Sequence, residues 1–380
     1  MNDFRVNLKK VNLSTQPIMK RLFLLLFIVG ISTSVNSQDL AKFTDSLMTK
    51  YNIPELGYSV VSTDKILDLQ ILGFHRTDLR NENTKASSLD YFHLGSNTKA
   101  ITGFVAAKLV EENKIKWSTK FFDLFPRWKK YSNSAYYEIT LLDLLSHRSK
   151  IQPYTSGLEY QELPEFIGGK SEQRKEFSKH LLTEKPVKNQ NKTYNYSNGG
   201  YSIAALMLEK VSGKPWEQLT KEIMSENLKL KLEFGWPNKL DGYQPYGHWI
   251  ENDTLKSISP AIDYDLALGE PAGDISMTLP DYSKFIQFNL QGLSGKDNVL
   301  KSITYNFLHF GLNEYSIGWG NLRKNEIQIS EHSGSAGTFF CYTLLDKNKH
   351  LAYIIVANSG TKGTQEGVFK LLGELRKKYE

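Results

Sequence analysis

The chain has 380 residues, of which 40% are hydrophobic and 23% charged, so it carries enough apolar material for a large folded core. Its formal net charge is +6, but residues 1–37 hold five basic side chains against one acidic, which leaves 42 basic against 40 acidic residues in the remainder. No basic stretch with interleaved aromatics stands out there, so nucleic acid and anionic membrane surfaces are excluded as expected partners.

The N-terminal segment has the pattern of an export signal. Lys20 and Arg21 precede an apolar run at 22–31, which is too short to span a bilayer, and small residues offer a cleavage site before Gln38. We therefore predict a leader over residues 1–37, with Met1 and Met19 both open as the start. The mature protein is expected to be periplasmic or secreted. No cysteine lies directly after the apolar run to carry a lipid, so we expect no stable membrane anchor after cleavage.

The predicted elements form two groups at the ends of the chain. A helix and two strands come first, followed by a second helix; four strands and a closing helix come last. In chain order the ranges are helix 39–51, strands 56–63 and 66–74, helix 96–113, strands 315–323, 326–332, 338–345 and 350–357, and helix 366–379. The single cysteine, Cys341, lies in an apolar run and is expected to be a small buried hydrophobe.

The order of these elements predicts a mixed α+β fold. Strands from both termini are expected to form one antiparallel sheet flanked by helices, with a mainly helical region inserted between them. We assign one domain over 38–380, with the sheet part at about 38–112 and 300–380 and the helical region at about 113–299.

The first candidate motif is Ser96-Asn97-Thr98-Lys99, at the start of the second predicted helix. Residues three apart share a helix face, so Lys99 can reach the Ser96 hydroxyl and remove its proton if burial lowers the lysine pKa. Ser-x-x-Lys also occurs at 62–65 and 359–362, but neither copy opens a long helix with an apolar face. The alternative reading is that Ser96 only caps the helix.

The second motif, Tyr196-Ser197-Asn198, precedes a clear amphipathic helix. From a loop at that position, Tyr196 could relay a proton near a lysine, and Asn198 could accept from Lys99 and donate to a substrate carbonyl. A similar triplet beginning at Tyr131 opens no comparable helix, so we favour Tyr196.

The third motif comprises His332, Ser333, Gly334 and Ser335, between two predicted strands. The Ser335 backbone N–H could join that of Ser96 in an oxyanion hole, and His332 and Ser333 could contact a substrate carboxylate or leaving group. Without the other two motifs, an ordinary glycine-rich hairpin would be the default.

Together these motifs resemble those of the serine β-lactamase and penicillin-binding-protein family, in particular its class C-type branch. Ser96–Lys99 matches the family's Ser-x-x-Lys, 196–198 matches Tyr-x-Asn, and 332–334 matches the His-x-Gly form of Lys-Thr-Gly. The segment 139–151 is similar to a further family landmark, and the resemblance covers roughly 43–379. It implies the mixed fold described above and an acyl-enzyme mechanism without metal or cofactor.

The resemblance also implies roles for individual residues. Ser96 would be the nucleophile, Lys99 and Tyr196 the base and proton relay, Asn198 a substrate-orienting group, and the pair at 332–333 the strand side of the site. The expected partner is a small-molecule or peptide substrate, with peptidoglycan-derived substrates among the candidates. A histidine at 332 is mostly neutral near pH 7, which favours a D-peptidase or esterase over a true β-lactamase.

Three other functions compete with the acyl-enzyme hydrolase as interpretations of the sequence. An α/β-hydrolase is disfavoured because the Gly-x-Ser-x-Gly elbow is absent, the nearest approach being around Ser202. A zinc hydrolase is disfavoured because the eight histidines are scattered and no His-Glu-x-x-His occurs. A penicillin-recognising sensor or an inactive scaffold of the same fold stays open.

Overall fold

The computed structural model describes residues 37–188, 193–262 and 266–380. The predicted leader therefore lies outside the described residues except for its last position, and the export signal stays a prediction. Among the described helices, none combines the length and the apolar character needed to cross a membrane.

Eleven strands occur in the described residues. They are β1 (Glu55–Ser62), β2 (Ile66–Gly73), β3 (Tyr91–His93), β4 (Glu233–Phe234), β5 (His248–Glu251), β6 (Thr254–Ser257), β7 (Ile275–Thr278), β8 (Gly320–Lys324), β9 (Ile327–Ser335), β10 (Phe340–Asp346) and β11 (Leu351–Ala357).

Thirteen α-helices occur in the same residues. They are α1 (Ser37–Tyr51), α2 (Thr98–Glu111), α3 (Phe121–Leu124), α4 (Leu141–Leu145), α5 (Gly157–Tyr160), α6 (Lys170–Thr183), α7 (Asn198–Ser212), α8 (Trp216–Glu222), α9 (Pro237–Leu240), α10 (Glu270–Gly273), α11 (Leu279–Leu293), α12 (Ser302–Phe310) and α13 (Lys362–Tyr379).

Strands from both ends of the chain build one antiparallel sheet in the order β2-β1-β11-β10-β9-β8. The pairing of β1 with β11, with Tyr58 opposite Ile355, joins the N-terminal to the C-terminal part. This arrangement confirms the predicted α+β fold.

The central strands are buried on both faces, which explains their nearly continuous apolar sequences. One face of β11, represented by Tyr353, packs in a cluster with residues of α1 and α13. The other face, represented by Ile354, belongs to the main core with α2 and α11. Cys341 is fully buried on β10, as predicted.

The region predicted to be mainly helical also contains short strands that the sequence did not indicate. Within it, β7 and β4 form a three-stranded sheet together with β3, which lies before this region, and β5 pairs with β6. Each has only two to four residues, too few for an alternating pattern to be recognised.

The strand predicted over 315–323 begins only at Gly320. The reason is the close packing of the preceding residues on α2: a Cβ on Gly318 would lie 2.6 Å from the Lys99 carbonyl oxygen. Gly318 has a φ of +74°, in the left-handed region that favours glycine, so the chain bends there before β8 begins.

A fully buried arginine ties four helices together. Arg174 of α6 contacts Glu209 of α7 at 2.9 Å, Glu217 of α8 at 3.0 Å and Glu270 of α10 at 3.1 Å. Burial of Glu270 raises the pKa of its carboxyl to about 7, although the neighbouring Arg174 opposes the shift. Three carboxyl groups in one buried place therefore depend on a single guanidinium.

Replacing that guanidinium tests its importance for stability. We expect Arg174→Met to lower the free energy of unfolding by about 3–5 kcal/mol, because it leaves buried carboxyl groups without their cation. Lys175→Met, at an exposed position of the same helix, is the matched control and should change the value by no more than about 0.5 kcal/mol. Urea denaturation measures both, and equal effects of the two substitutions would contradict the assignment.

Candidate active site

Ser96 lies on a short 3-10 turn, Gly95–Asn97, that leads directly into α2. The sequence predicted that Ser96 itself opens the long helix, whereas the α-helix begins at Thr98. Gly95 has a φ of +52°, which glycine adopts readily, so the chain turns tightly just before Ser96. The Ser96 side chain is half-buried and so keeps some accessible surface.

Two glycines let β9 lie against this turn. A Cβ on Gly334 would stand 2.0 Å from the Leu94 oxygen and 2.7 Å from the Ser96 nitrogen, and one on Gly95 would stand 2.4 Å from the Ser335 nitrogen. No side chain fits in either place. The backbone nitrogens of Ser96 and Ser335 are therefore brought close to one another, as the predicted oxyanion hole would need.

Lys99 occupies the first turn of α2 and is fully buried. Its Nζ lies 3.1 Å from Ser96 Oγ, 2.8 Å from Asn198 Oδ1 and 2.8 Å from the Ala272 carbonyl oxygen. Burial holds its pKa well below the usual lysine value. As a neutral amine it can donate to Asn198 and Ala272, which leaves its lone pair for the Ser96 hydroxyl proton.

The Ala272 carbonyl is held in place by the surroundings of α10. Thr102 Oγ1 donates to the Pro271 carbonyl at 2.7 Å, and Glu270 contacts Arg174. Sequence reasoning assigned no role to this segment. A backbone acceptor leaves no mark on residue types, so no local sequence pattern identifies this carbonyl.

Tyr196 lies against both other groups of the predicted triad. The Lys99 Nζ is 4.6 Å from the centre of its ring, and the Ser96 side chain is near enough to the phenol to lower its pKa slightly against the larger effect of burial. Burial raises the pKa of Tyr196, so the phenol keeps its proton and acts as a donor. Tyr131, the alternative, is 70% exposed on another turn.

Asn198 is the first residue of α7 and accepts from Lys99, as predicted. Its amide Nδ2 donates to the Tyr154 carbonyl at 2.9 Å. These two contacts orient the Asn198 side chain toward Lys99. Donation by Asn198 to a substrate carbonyl stays a prediction.

His332 is not positioned as expected. Its ring is buried, with Nδ1 2.8 Å from the Ser333 carbonyl and Nε2 3.0 Å from the Tyr315 hydroxyl. A carbonyl only accepts, so Nδ1 carries the proton and Nε2 accepts from Tyr315. Burial and Lys99 lower the pKa of His332 to about 3. Neither ring nitrogen is left for a substrate carboxylate, which corrects the predicted contact.

The other predicted residues on β9 contribute in different ways. The Ser333 side chain is exposed, so it is accessible to a ligand. Gly334 allows the close approach described above. The Ser335 hydroxyl donates to the Phe339 carbonyl at 2.7 Å and accepts from the Gly337 N–H at 3.0 Å, so only its backbone N–H is available to the site.

His147, a buried histidine to which the sequence analysis assigned no role, packs against Tyr196. The ring of His147 lies 4.3 Å from that of Tyr196 and 4.6 Å from that of Tyr315. The Ser197 N–H donates to His147 Nδ1 at 3.1 Å and so fixes the loop that carries Tyr196. The sequence pattern that could have identified His147 was the segment 139–151, which contains it and resembles a family landmark.

Burial opposes charge at each of these positions. It holds the pKa of His147 well below its usual value and lowers that of His332 to about 3. It also holds the pKa of Lys99 well below the usual lysine value and raises that of the Tyr196 phenol. The site therefore favours neutral side chains, and charge that appears when a proton moves is stabilised through hydrogen bonds.

The other candidate serines lie in structural positions. Ser62 and Lys65 close the exposed turn between β1 and β2. Ser359 is buried and accepts from the Thr364 hydroxyl at 3.0 Å. Ser202 is buried inside α7, where its hydroxyl donates to a backbone carbonyl, so it forms no nucleophile elbow.

A family model described as Beta-lactamase matches residues 40–371. Among curated proteins, Protein flp of Staphylococcus aureus (strain MW2) is 20% identical over 331 residues, 86% of this chain and 64% of that protein. Unguisins hydrolase ungD' of Aspergillus campestris is 22% identical over 371 residues, 90% of this chain and 65% of that protein. The chain thus spans about two thirds of the length of these relatives.

Solved structures show the same fold. The octameric penicillin-binding protein homologue from Pyrococcus abyssi superimposes with a TM-score of 0.70 at 18% identity, covering 90% of this chain and 77% of that one. A class C beta lactamase from Rhodobacter sphaeroides gives a TM-score of 0.69 at 16% identity, covering 89% and 99%.

The neutral partner Asn198 provides a test of the lysine's charge state. Asn198→Asp keeps the shape but places a carboxylate beside Lys99, which favours the ammonium and raises the lysine pKa. We expect hydrolysis of a p-nitrophenyl ester at pH 7 to fall about tenfold for each unit by which that pKa exceeds the assay pH. The lost rate should return as the pH is raised.

The control is Asn133→Asp, at the alternative triplet, where the asparagine side chain caps a turn away from Lys99. If Asn198→Asp did not shift the pH–rate profile relative to the wild type, the result would contradict a neutral Lys99.

Proposed function

The chain belongs to the beta-lactamase family, and from that premise we propose that it is an exported serine hydrolase that forms an acyl-enzyme on Ser96. The observation that carries the proposal is the buried Lys99 amine, 3.1 Å from Ser96 Oγ. A serine hydroxyl needs a base to become a nucleophile, and a lysine serves as one only when burial keeps it uncharged. Export rests on the leader pattern alone.

Acylation begins with transfer of the Ser96 proton to Lys99 while Oγ attacks the substrate carbonyl carbon. The oxygen that becomes negative is stabilised by the backbone N–H groups of Ser96 and Ser335. As the bond to the leaving group breaks, Tyr196 donates its phenolic proton to that group and regains one from the Lys99 ammonium. The proton balance closes, and Lys99 is again an amine.

Deacylation reuses the same groups with water as the nucleophile. The Lys99 amine accepts the proton of the attacking water, and the N–H pair again holds the oxyanion. As the acid product leaves, Tyr196 donates its phenolic proton to Ser96 Oγ and regains one from the Lys99 ammonium. No carboxylate base is needed in this scheme. The tyrosine and lysine act in both half-reactions because their positions relative to Ser96 do not change.

The substrate class follows from the neutrality of the site. His332 offers no free nitrogen to a carboxylate, and Arg148, beside Tyr315, donates to the carbonyls of Ser146, Asn313 and Tyr315. We therefore favour a small ester or a D-amino-acid peptide over a β-lactam antibiotic with an essential carboxylate. The hydrolase relative supports a hydrolytic activity but does not indicate the substrate of this chain. Assays with a panel of esters, D-amino-acid peptides and β-lactams would identify that substrate.

Ser96→Ala tests the nucleophile. We expect it to abolish p-nitrophenyl ester hydrolysis and to leave the thermal midpoint nearly unchanged, because the half-buried hydroxyl is replaced without creating a core cavity. The wild-type chain should gain one adduct from a fluorophosphonate on Ser96, read by denaturing mass spectrometry, and the variant none. Retained activity in the variant refutes the assignment. A lasting penicillin adduct without turnover identifies a sensor, and no adduct of either kind identifies a scaffold.

Tyr196→Phe tests the proton relay. Removing the phenolic hydroxyl is expected to lower the ester hydrolysis rate by about 10²–10⁴-fold, the usual range for general acid–base groups. Tyr131→Phe, at the exposed alternative, is the matched control and should leave the rate unchanged. If the loss appeared at Tyr131 and not at Tyr196, the wrong triplet would have been chosen.

A further inference from the structure

A second cluster of ionisable side chains lies apart from Lys99, where three strands of two sheets come together. Glu55 opens β1, His75 follows the end of β2, and Asp90 directly precedes β3. Their relative exposures are 0%, 5% and 3%. One ligand atom from each lies within 4.8 Å of the others, and His75 Nε2 is 3.0 Å from Asp90 Oδ2.

Two atoms of the cluster are left without hydrogen bonds. Glu55 Oε1 is buried and has no hydrogen-bond partner within the part of the chain that the structure describes. His75 Nε2 lies beside the Asp90 carboxylate but makes no hydrogen bond to it or to any other described residue. A buried polar atom without a hydrogen bond is costly. Both atoms are of kinds that coordinate cations.

The neighbouring residues orient the carboxylates as they would around an ion. Ser87 donates from its backbone N–H and its hydroxyl to Asp90, at 2.5 and 2.9 Å. The Asn358 side chain accepts from the Glu55 N–H at 2.9 Å and donates to Glu55 Oε2 at 3.4 Å, which leaves Oε1 directed at the cluster. Such outer contacts typically position metal ligands.

We propose that Glu55, His75 and Asp90 bind one divalent transition-metal cation of the Zn²⁺ type. One imidazole nitrogen and two carboxylate oxygens form a common ligand set for such ions, with a further position for water. In a tetrahedral site, bonds of about 2.0–2.2 Å place the ligand atoms about 3.3–3.6 Å apart. The ligand atoms here lie within 4.8 Å of one another, so side-chain rotations would have to bring the most distant pair closer by somewhat more than about 1 Å.

The ion would have a structural role. It would tie β1 and β2 of the large sheet to the segment that runs through β3 to Ser96. The sequence led us to expect no metal, because its histidines are scattered and the resemblance implies metal-free chemistry. The proposal concerns a different place from the hydrolytic site and stands or falls independently of it.

The test is metal binding to the full chain. After treatment with EDTA and its removal, the protein is titrated with ZnCl₂ by isothermal calorimetry, and its thermal midpoint is measured with and without the ion. We expect one ion per chain, a dissociation constant on the order of micromolar or tighter, and a higher midpoint. Glu55→Gln should weaken binding at least about tenfold and remove the thermal shift.

Glu55→Gln has the shape of the protonated carboxyl and so should fold; if it does not, His75→Gln takes its place. Glu184→Gln is the matched control, because Glu184 also lies near a histidine, His180, at 3.9 Å but outside the cluster, and it should bind as the wild type does. No saturable binding by the wild type, or equal binding by Glu55→Gln, would overturn the proposal. Neither result bears on the activity of Ser96.

Discussion

The burial of one lysine amine among three oxygen atoms is the constraint on which the site depends. Lys99 can abstract a proton from Ser96 only while it is uncharged, and burial in the core around α2 favours that form because it holds the lysine pKa well below its usual value. Two of its neighbours, Asn198 and the Ala272 carbonyl, accept hydrogen bonds without contributing charge. A carboxylate in either place would hold the lysine as an ammonium and remove the base.

The fold supplies this environment from two directions. On the helical side, Arg174 and its three glutamates hold α10 against α7 and so place the Ala272 carbonyl. On the sheet side, Gly95 and Gly334 allow β9 to touch the turn that carries Ser96. The same close packing that lowers the lysine pKa thus also sets the backbone N–H pair, so stability and site geometry have common causes.

Much of this arrangement was predictable from local sequence patterns. Alternating and continuous apolar runs at both ends predicted the large sheet, and the spacing of Ser96 and Lys99 predicted their contact. What failed depends on contacts distant in sequence. His332 was expected to face substrate because of its place in the third motif. Its hydrogen bond to Tyr315 was not predictable, because the segment before Gly320 had been predicted as a strand. The cluster around Glu55 escaped notice because its members come from three separate segments.

The charge state of Lys99 can be measured directly by nuclear magnetic resonance on protein labelled at its lysine side chains, with Lys99→Met to assign the signal. The account predicts that the Lys99 side chain is a neutral amine at pH 7 and titrates well below the ordinary lysine value of about 10.4. An ammonium signal that persists at pH 7 and titrates near the other lysines would contradict it.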